Sequence, residues 1–393
     1  MNRFTQLLGT LCLLCMVMGS TYAKGVLSYD PAVGISIKGS VEKAFLNTIV
    51  EYGEKKILIV EQISAEDLKV LANIKDQIIW LKIVDSPALT ELKELAALTN
   101  LERLELVNLP QIEDLSALSV LTKLKHLHLT QVNVRDIAFV RSLPSIETLI
   151  FEQQPKEPLD ISPLESKYTL KVLRFGGAKI DDLSPIAYLT NLTELSLART
   201  QVNDLSALSK LTSLEILDLT GVKATKLKPI ESLTKLKWIK ISATRFHDYQ
   251  VLANCTKLQT LIAGGSRLNR LDIVESMPNL TTLKLFKDPI RNLEPLAKAR
   301  QLETLHIRHM HANLTALTNL RNLKDLSLEK ARVINPEAIS KLSALEVLDL
   351  RGVINLKDLS LLLPLSKLRL VYVLRADYPS HQTSMLGNRV VFQ

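Results

Sequence analysis

A block of about 22 residues recurs along this 393-residue chain, and its best copies read LTNLTELSLARTQVNDLSALSK (189–210) and LTSLEILDLTGVKATKLKPIES (211–232). The frame is L-x-x-L-x-L-x-x-T/V, followed by x-V-x-D-L-S-x-L. Leucines open it at Leu101, Leu124, Leu170, Leu192, Leu214, Leu236, Leu258, Leu280, Leu302, Leu323, Leu345 and Leu368, and Ile78 and Ile146 fill the same slot. A period this short and regular cannot build a closed globule around one core. It stacks, each unit touching only its neighbours. A stack offers a long surface in place of a deep pocket, which favours binding over catalysis before any side chain is considered.

Within each unit the x-L-x-L-x portion alternates and reads as a short strand, leucines inward and x residues on the open face. Successive strands pair in parallel about 4.8 Å apart, so 14 units make a sheet roughly 65 Å long. The D-L-S-x-L portion is too short for a full helix, and should form one or two turns of 3-10 or α-helix on the opposite side. Pro163, Pro185, Pro229 and Pro295 suit the first turn of those segments. Apolar content is 47% and aromatic content only 5%, as stacked aliphatic layers require.

These units resemble the leucine-rich repeat family in its short form, over about residues 78–376. Phrases such as DLSPIAYLTNLTELSL (182–197) are similar to the repeats of bacterial internalins. The resemblance implies an α/β solenoid, with a curved parallel sheet on the concave face and short 3-10 or α turns on the convex face. It also implies a protein partner, in a virulence or host-interaction role. One departure is consistent. The family usually places Asn after L-x-L-x-x, where its side chain ties down the turn. Here that slot holds Val132, Ala178, Thr200, Val222, Thr244, Ser266, Asp288, Met310, Ala331 and Val353. Thr and Ser replace part of that hydrogen bonding. Val, Ala and Met cannot, so neighbouring strands or water must satisfy the turn backbone there.

The ends depart from the repeat. Arg3, an apolar run over 7–18 and the small-residue site at Thr21-Tyr22-Ala23 describe a secretory signal peptide, 1–23. Residues 24–77 are expected to form an N-terminal cap, with strands near 35–37 and 57–60 and helices over 41–52 and 64–72. Residues 377–393 form the C-terminal cap. After cleavage Cys255 is the sole remaining cysteine, so no intrachain disulfide is available. A secreted eukaryotic repeat protein usually staples its ends with disulfides, so an exported bacterial protein is expected, secreted or periplasmic. The net charge is +8 without long single-sign runs, which does not point to nucleic acid. No segment of the cleaved chain reads as membrane-spanning.

The frame assigns the concave face residue by residue. Between the strand leucines lie, among others, His128, Arg174, Asp218, Lys240, Ile262, Lys284 and His306. Two residues earlier lie Trp80, Ile216 and Trp238, so both tryptophans fall in an open-face column that core packing does not explain. Trp80 has a structural alternative, packing beneath the N-terminal cap. Small residues follow five consecutive strands (Gly176-Gly177, Ala198, Thr220-Gly221, Ser242-Ala243 and Gly264-Gly265). They either admit a partner backbone or relieve a tight turn. Asp218 and Lys240 on adjacent strands are expected to pair. A second cluster, Lys284, Phe286, Lys287, His306, Arg308 and His309, supports an alternative reading as a binder of glycans or anionic ligands. His126 and His128 share a face but bring no third ligand, so no metal is expected. No nucleophile elbow, carboxylate pair or phosphate loop stands out, so neither enzyme activity nor a cofactor is expected.

Overall fold

A computed structural model describes residues 25–392, apart from 31, 33, 53–56, 134–135 and 153–156. The leader expected over 1–23 lies outside the described residues. Among these, eighteen strands form one sheet, and the two short strands His311–Asn313 and Arg332–Ile334 form another. After an N-terminal antiparallel hairpin, Val26–Asp30 with Gly34–Lys38, every neighbouring pair in the large sheet is parallel. The register is the one that the repeat demands. Leu195, Leu217, Ile239, Leu261 and Leu283 are direct neighbours from strand to strand, and all are buried.

The convex side is built from 3-10 turns such as Ser206–Lys210, Lys228–Ser232 and Glu294–Lys298. The D-L-S motif explains their starts. In Asp114, Asp160, Asp182 and Asp204 the carboxylate accepts the backbone N–H two residues on, at 2.8–2.9 Å. These bonds hold the carboxyls of Asp114, Asp160 and Asp182 below their ordinary range. Pro163, Pro185, Pro229 and Pro295 stand at the first turn, where no N–H is needed.

The segment before the frame joins the same sheet. Strand Gly34–Lys38 pairs with Ile57–Glu61, and that strand with Trp80–Val84. Ile35, Leu58 and Leu81 stack in one inward column, and Ile37, Val60 and Ile83 in the next. The connections here are α-helices, Phe45–Tyr52 and Ala65–Leu71, in place of 3-10 turns. Gly34 has φ +136°, and a Cβ there would lie 2.2 Å from the Ile57 carbonyl oxygen. Gly34→Ala should therefore destabilise this end by about 2 kcal/mol or more. Because a stack transmits strain mainly to neighbours, hydrogen exchange should quicken over 26–61 while the rungs near 190–265 keep their protection.

Two columns replace the missing asparagines. Just after the strands, Gly177, Arg199, Gly221, Ala243, Gly265, Lys287, His309 and Lys330 all take φ between 53° and 79°. Each donates its N–H to a carbonyl of the next rung, as Gly177 does to Ala198 at 2.8 Å and Lys330 to Arg351 at 2.8 Å. Glycine in this column thus relieves a left-handed turn, while non-glycine members carry a strain of about 1–2 kcal/mol. In the buried slot itself, the Thr200 and Thr244 hydroxyls donate to the Leu197 and Ile241 carbonyls at 2.7 and 2.6 Å. Asp288 accepts the backbone N–H and hydroxyl of Ser266, both at 2.8 Å, and burial raises its carboxyl in spite of them.

A charge ladder follows the frame leucine. Glu102–Lys125, Glu147–Lys171, Glu215–Lys237, Glu303–Lys324 and Glu346–Arg369 bridge adjacent rungs at 2.7–3.0 Å. Such exposed pairs contribute about 1 kcal/mol or less each, so their role is to match register more than to add stability.

Candidate functional site

The concave face is lined by side chains that the strands direct away from the leucine core. On its central rungs, strands Glu194–Ser196, Ile216–Asp218 and Trp238–Lys240 are in direct register. Ile216 and Trp238 are immediate neighbours there. Ile216 is 38% exposed, a large aliphatic left in solvent beside a half-buried indole. An open groove of about 870 Å³ runs over them, bounded by Gln131 and Glu152 at one end and Lys240 at the other. The small residues Gly176, Ala198 and Thr220 line it.

The groove brings together four of the residues expected from sequence, Ile216, Asp218, Trp238 and Lys240. Ile262 is the register neighbour of Lys240 on the next strand, half-buried. Asp218 and Lys240 are also register neighbours, but they do not form the expected ion pair. The Asp218 carboxylate turns along its own strand and accepts the Thr220 N–H at 2.8 Å and its hydroxyl at 2.5 Å. Local donors within two residues outcompete a flexible lysine across the sheet. Three further groove residues, placed on or beside the open face by the frame, were not among those expected to bind. Arg174 and Glu194 pair across adjacent strands, and Arg199 is exposed at φ +61° in the column otherwise held here by Gly177 and Gly221. Arginine interrupting a glycine column was a visible signal.

The two tryptophans differ. The Arg103 guanidinium lies 4.4 Å from the Trp80 ring centroid and covers it. Arg103 is in turn held by Glu105 at 2.8 Å. Trp80 is thus part of a closed local cluster, whereas Trp238 faces the groove.

The second cluster lies on strands Thr282–Phe286 and Thr304–Arg308 and the turns after them. Its arginines are paired: Arg308 meets Glu329 at 3.4 Å and Arg351 meets Asp349 at 2.8 Å. His306 Nε2 stands 3.3 Å from Asp325. Burial alone would raise the Asp349 carboxyl, but its bonds from Arg351 and Ser327 bring it below the ordinary range. Phe286 is 39% exposed, with the His309 ring edge-on at 5.0 Å and the Lys287 ammonium 5.1 Å from its centroid.

Burial lowers both His126 and His128, and the His128 Nε2 shares a 2.7 Å hydrogen bond with Thr130. Among the described residues no group of three or more His, Cys, Asp or Glu could hold a metal ion. Cys255 is buried, and burial pushes its thiol up to about 11, the environment of a packing residue. No described helix is long and apolar enough to cross a membrane.

A sequence profile described as Leucine Rich repeats (2 copies) matches residues 190–237. The solved structure of an internalin from Listeria monocytogenes is similar at 25% identity and TM-score 0.65, over 78% of this chain and 88% of that one. The chain has a leucine-rich repeat fold. A leucine-rich repeat protein from Leptospira interrogans is similar in fold at 21% identity and TM-score 0.69, over 86% and 89% of the two chains. The Toll–Spatzle complex of Drosophila gives 15% identity and TM-score 0.56, with 94% of this chain but 54% of that one covered. No curated protein sequence matches this chain. In architecture the chain is thus internalin-like. A solenoid of this kind is typically a binding scaffold, not an enzyme.

Proposed function

We propose that this leucine-rich repeat protein is exported through the leader at 1–23 and binds another protein on its concave face, with Ile216, Trp238 and Ile262 as apolar anchors. The observation that carries this reading is Ile216 beside Trp238 on adjacent strands in an open groove. A large aliphatic and an indole side by side in solvent suit a site that a partner covers. The Toll structure, solved as a complex with Spatzle, gives a precedent for protein recognition on this fold. The internalin likeness supports a host-interaction role. The glycan or anionic-ligand alternative has less support, because Glu329 and Asp349 take up the charge of Arg308 and Arg351.

The test is affinity capture from bacterial and host extracts with the wild-type protein and Trp238→Ala side by side. A protein retained by the first and lost by the second supports the reading. Equal retention by both removes Trp238 from the site.

A further inference from the structure

The cations of the concave face differ in how they are partnered. Each of four arginines has an acidic partner: Arg103 with Glu105, Arg174 with Glu194, Arg308 with Glu329, and Arg351 with Asp349. On the rungs at and beyond Trp238, lysines behave differently. Lys240 and Lys284, and the rim residues Lys287 and Lys330, have no ion pair among the described residues, although Lys82 nearer the N-terminus pairs with Glu105 at 3.5 Å. Lys287 and Lys330 also occupy the strained left-handed column, with His309 between them. The strand register places Trp238, Thr260, Thr282, Thr304 and Asp325 on successive rungs, and Lys330 follows the last of them. This row spans roughly 19 Å, the reach of about six extended residues.

Resting on the concave-face reading above, we infer that the partner presents an acidic segment with an apolar anchor, its apolar side chain on Ile216 and Trp238 and its carboxylates against Lys240, Lys284 and the Lys287–Lys330 rim. Charge complementarity argues for acid, because these lysines meet no carboxylate among the described residues. The exposed apolar residues argue for polypeptide over a polyanion. Ile216 is 38% exposed on this row, and Phe286, 39% exposed, lies four residues along the strand from Thr282, and a phosphate or sulfate polymer would leave both in water.

The test is selection of a random dodecapeptide display library on the purified protein, repeated on Trp238→Ala and on the double variant Lys240→Glu/Lys284→Glu. Thermal melts first establish that the variants fold. Enriched peptides should carry Asp or Glu beside a large apolar residue. They should lose affinity about tenfold or more on the charge-reversed protein, and weaken as salt rises. The reversed protein should select basic peptides instead. Peptides that depend on Trp238 but carry no acidic bias would overturn this inference and leave the concave-face reading standing. No enrichment that depends on Trp238 would overturn both. Tighter binding of heparin or a single-stranded oligonucleotide, indifferent to Trp238→Ala, would assign the lysines to a polyanion and also overturn it.

Discussion

Trp238→Ala should weaken partner binding by about 2 kcal/mol or more, some thirtyfold in affinity, while leaving the fold intact. The indole is half-buried on an open sheet face, and its removal empties no core layer. The core at that rung is Ile239 and Ile241, both fully buried and facing the other way. The matching variant Trp80→Ala is the control. A face of its ring is occupied by Arg103, which is itself held by Glu105, so affinity should stay unchanged. Isothermal titration of the two variants checks the pair of expectations. A loss with Trp80→Ala and none with Trp238→Ala would move the site to the N-terminal rungs.

Phe175→Ala should destabilise the protein by about 3–5 kcal/mol. Phe151 and Phe175 occupy the second inward column on adjacent rungs, both fully buried. Their rings stack at 5.7 Å with planes 3° apart. Truncation removes the stack and leaves a void between rungs that the flanking Leu129 and Leu197 are too short to fill. The parallel backbones on either side are pinned by hydrogen bonds, so collapse is restricted. Urea unfolding followed by circular dichroism would measure the cost. A loss below about 1 kcal/mol would mean the rungs relax far more freely than a close-packed stack allows.

The strands were legible in the sequence because each inward leucine has one role and one spacing. Leu195, Leu217 and Leu261 could be placed on a common face from the frame alone, and their register agrees. The convex turns were legible to the level of a 3-10 or α turn, and D-L-S chemistry settled the rest as 3-10. Before residue 78 the inward slots hold Ile35, Ile37, Leu58 and Val60. Mixed aliphatics joined by true helices hide the leucine rhythm that the later rungs display. The replacement for the asparagine ladder was hidden too, since backbone donors in a left-handed column leave no side-chain signature.

For the groove, the frame could say which residues face the open side but not what each one bonds. Asp218 and Lys240 stand in register, yet the carboxylate is satisfied by Thr220, a choice made by side-chain length and local geometry. Arg308 and Lys284 look alike in sequence. In space the first meets Glu329 on the next rung, and the second meets no carboxylate among the described residues. Trp80 and Trp238 occupy equivalent frame positions and differ only through Arg103. Which exposed residues are available to a partner is therefore a property of rung-to-rung neighbours. A one-dimensional repeat does not display it.

The most direct test of the concave-face account is site-specific photocrosslinking with a benzophenone side chain introduced at Ile262 or, as comparison, at Ser209 on the convex 3-10 turn Ser206–Lys210. Crosslinking of the bound partner at 262 and not at 209 is the predicted result. Crosslinking confined to 209 would place the partner on the convex face and contradict the account.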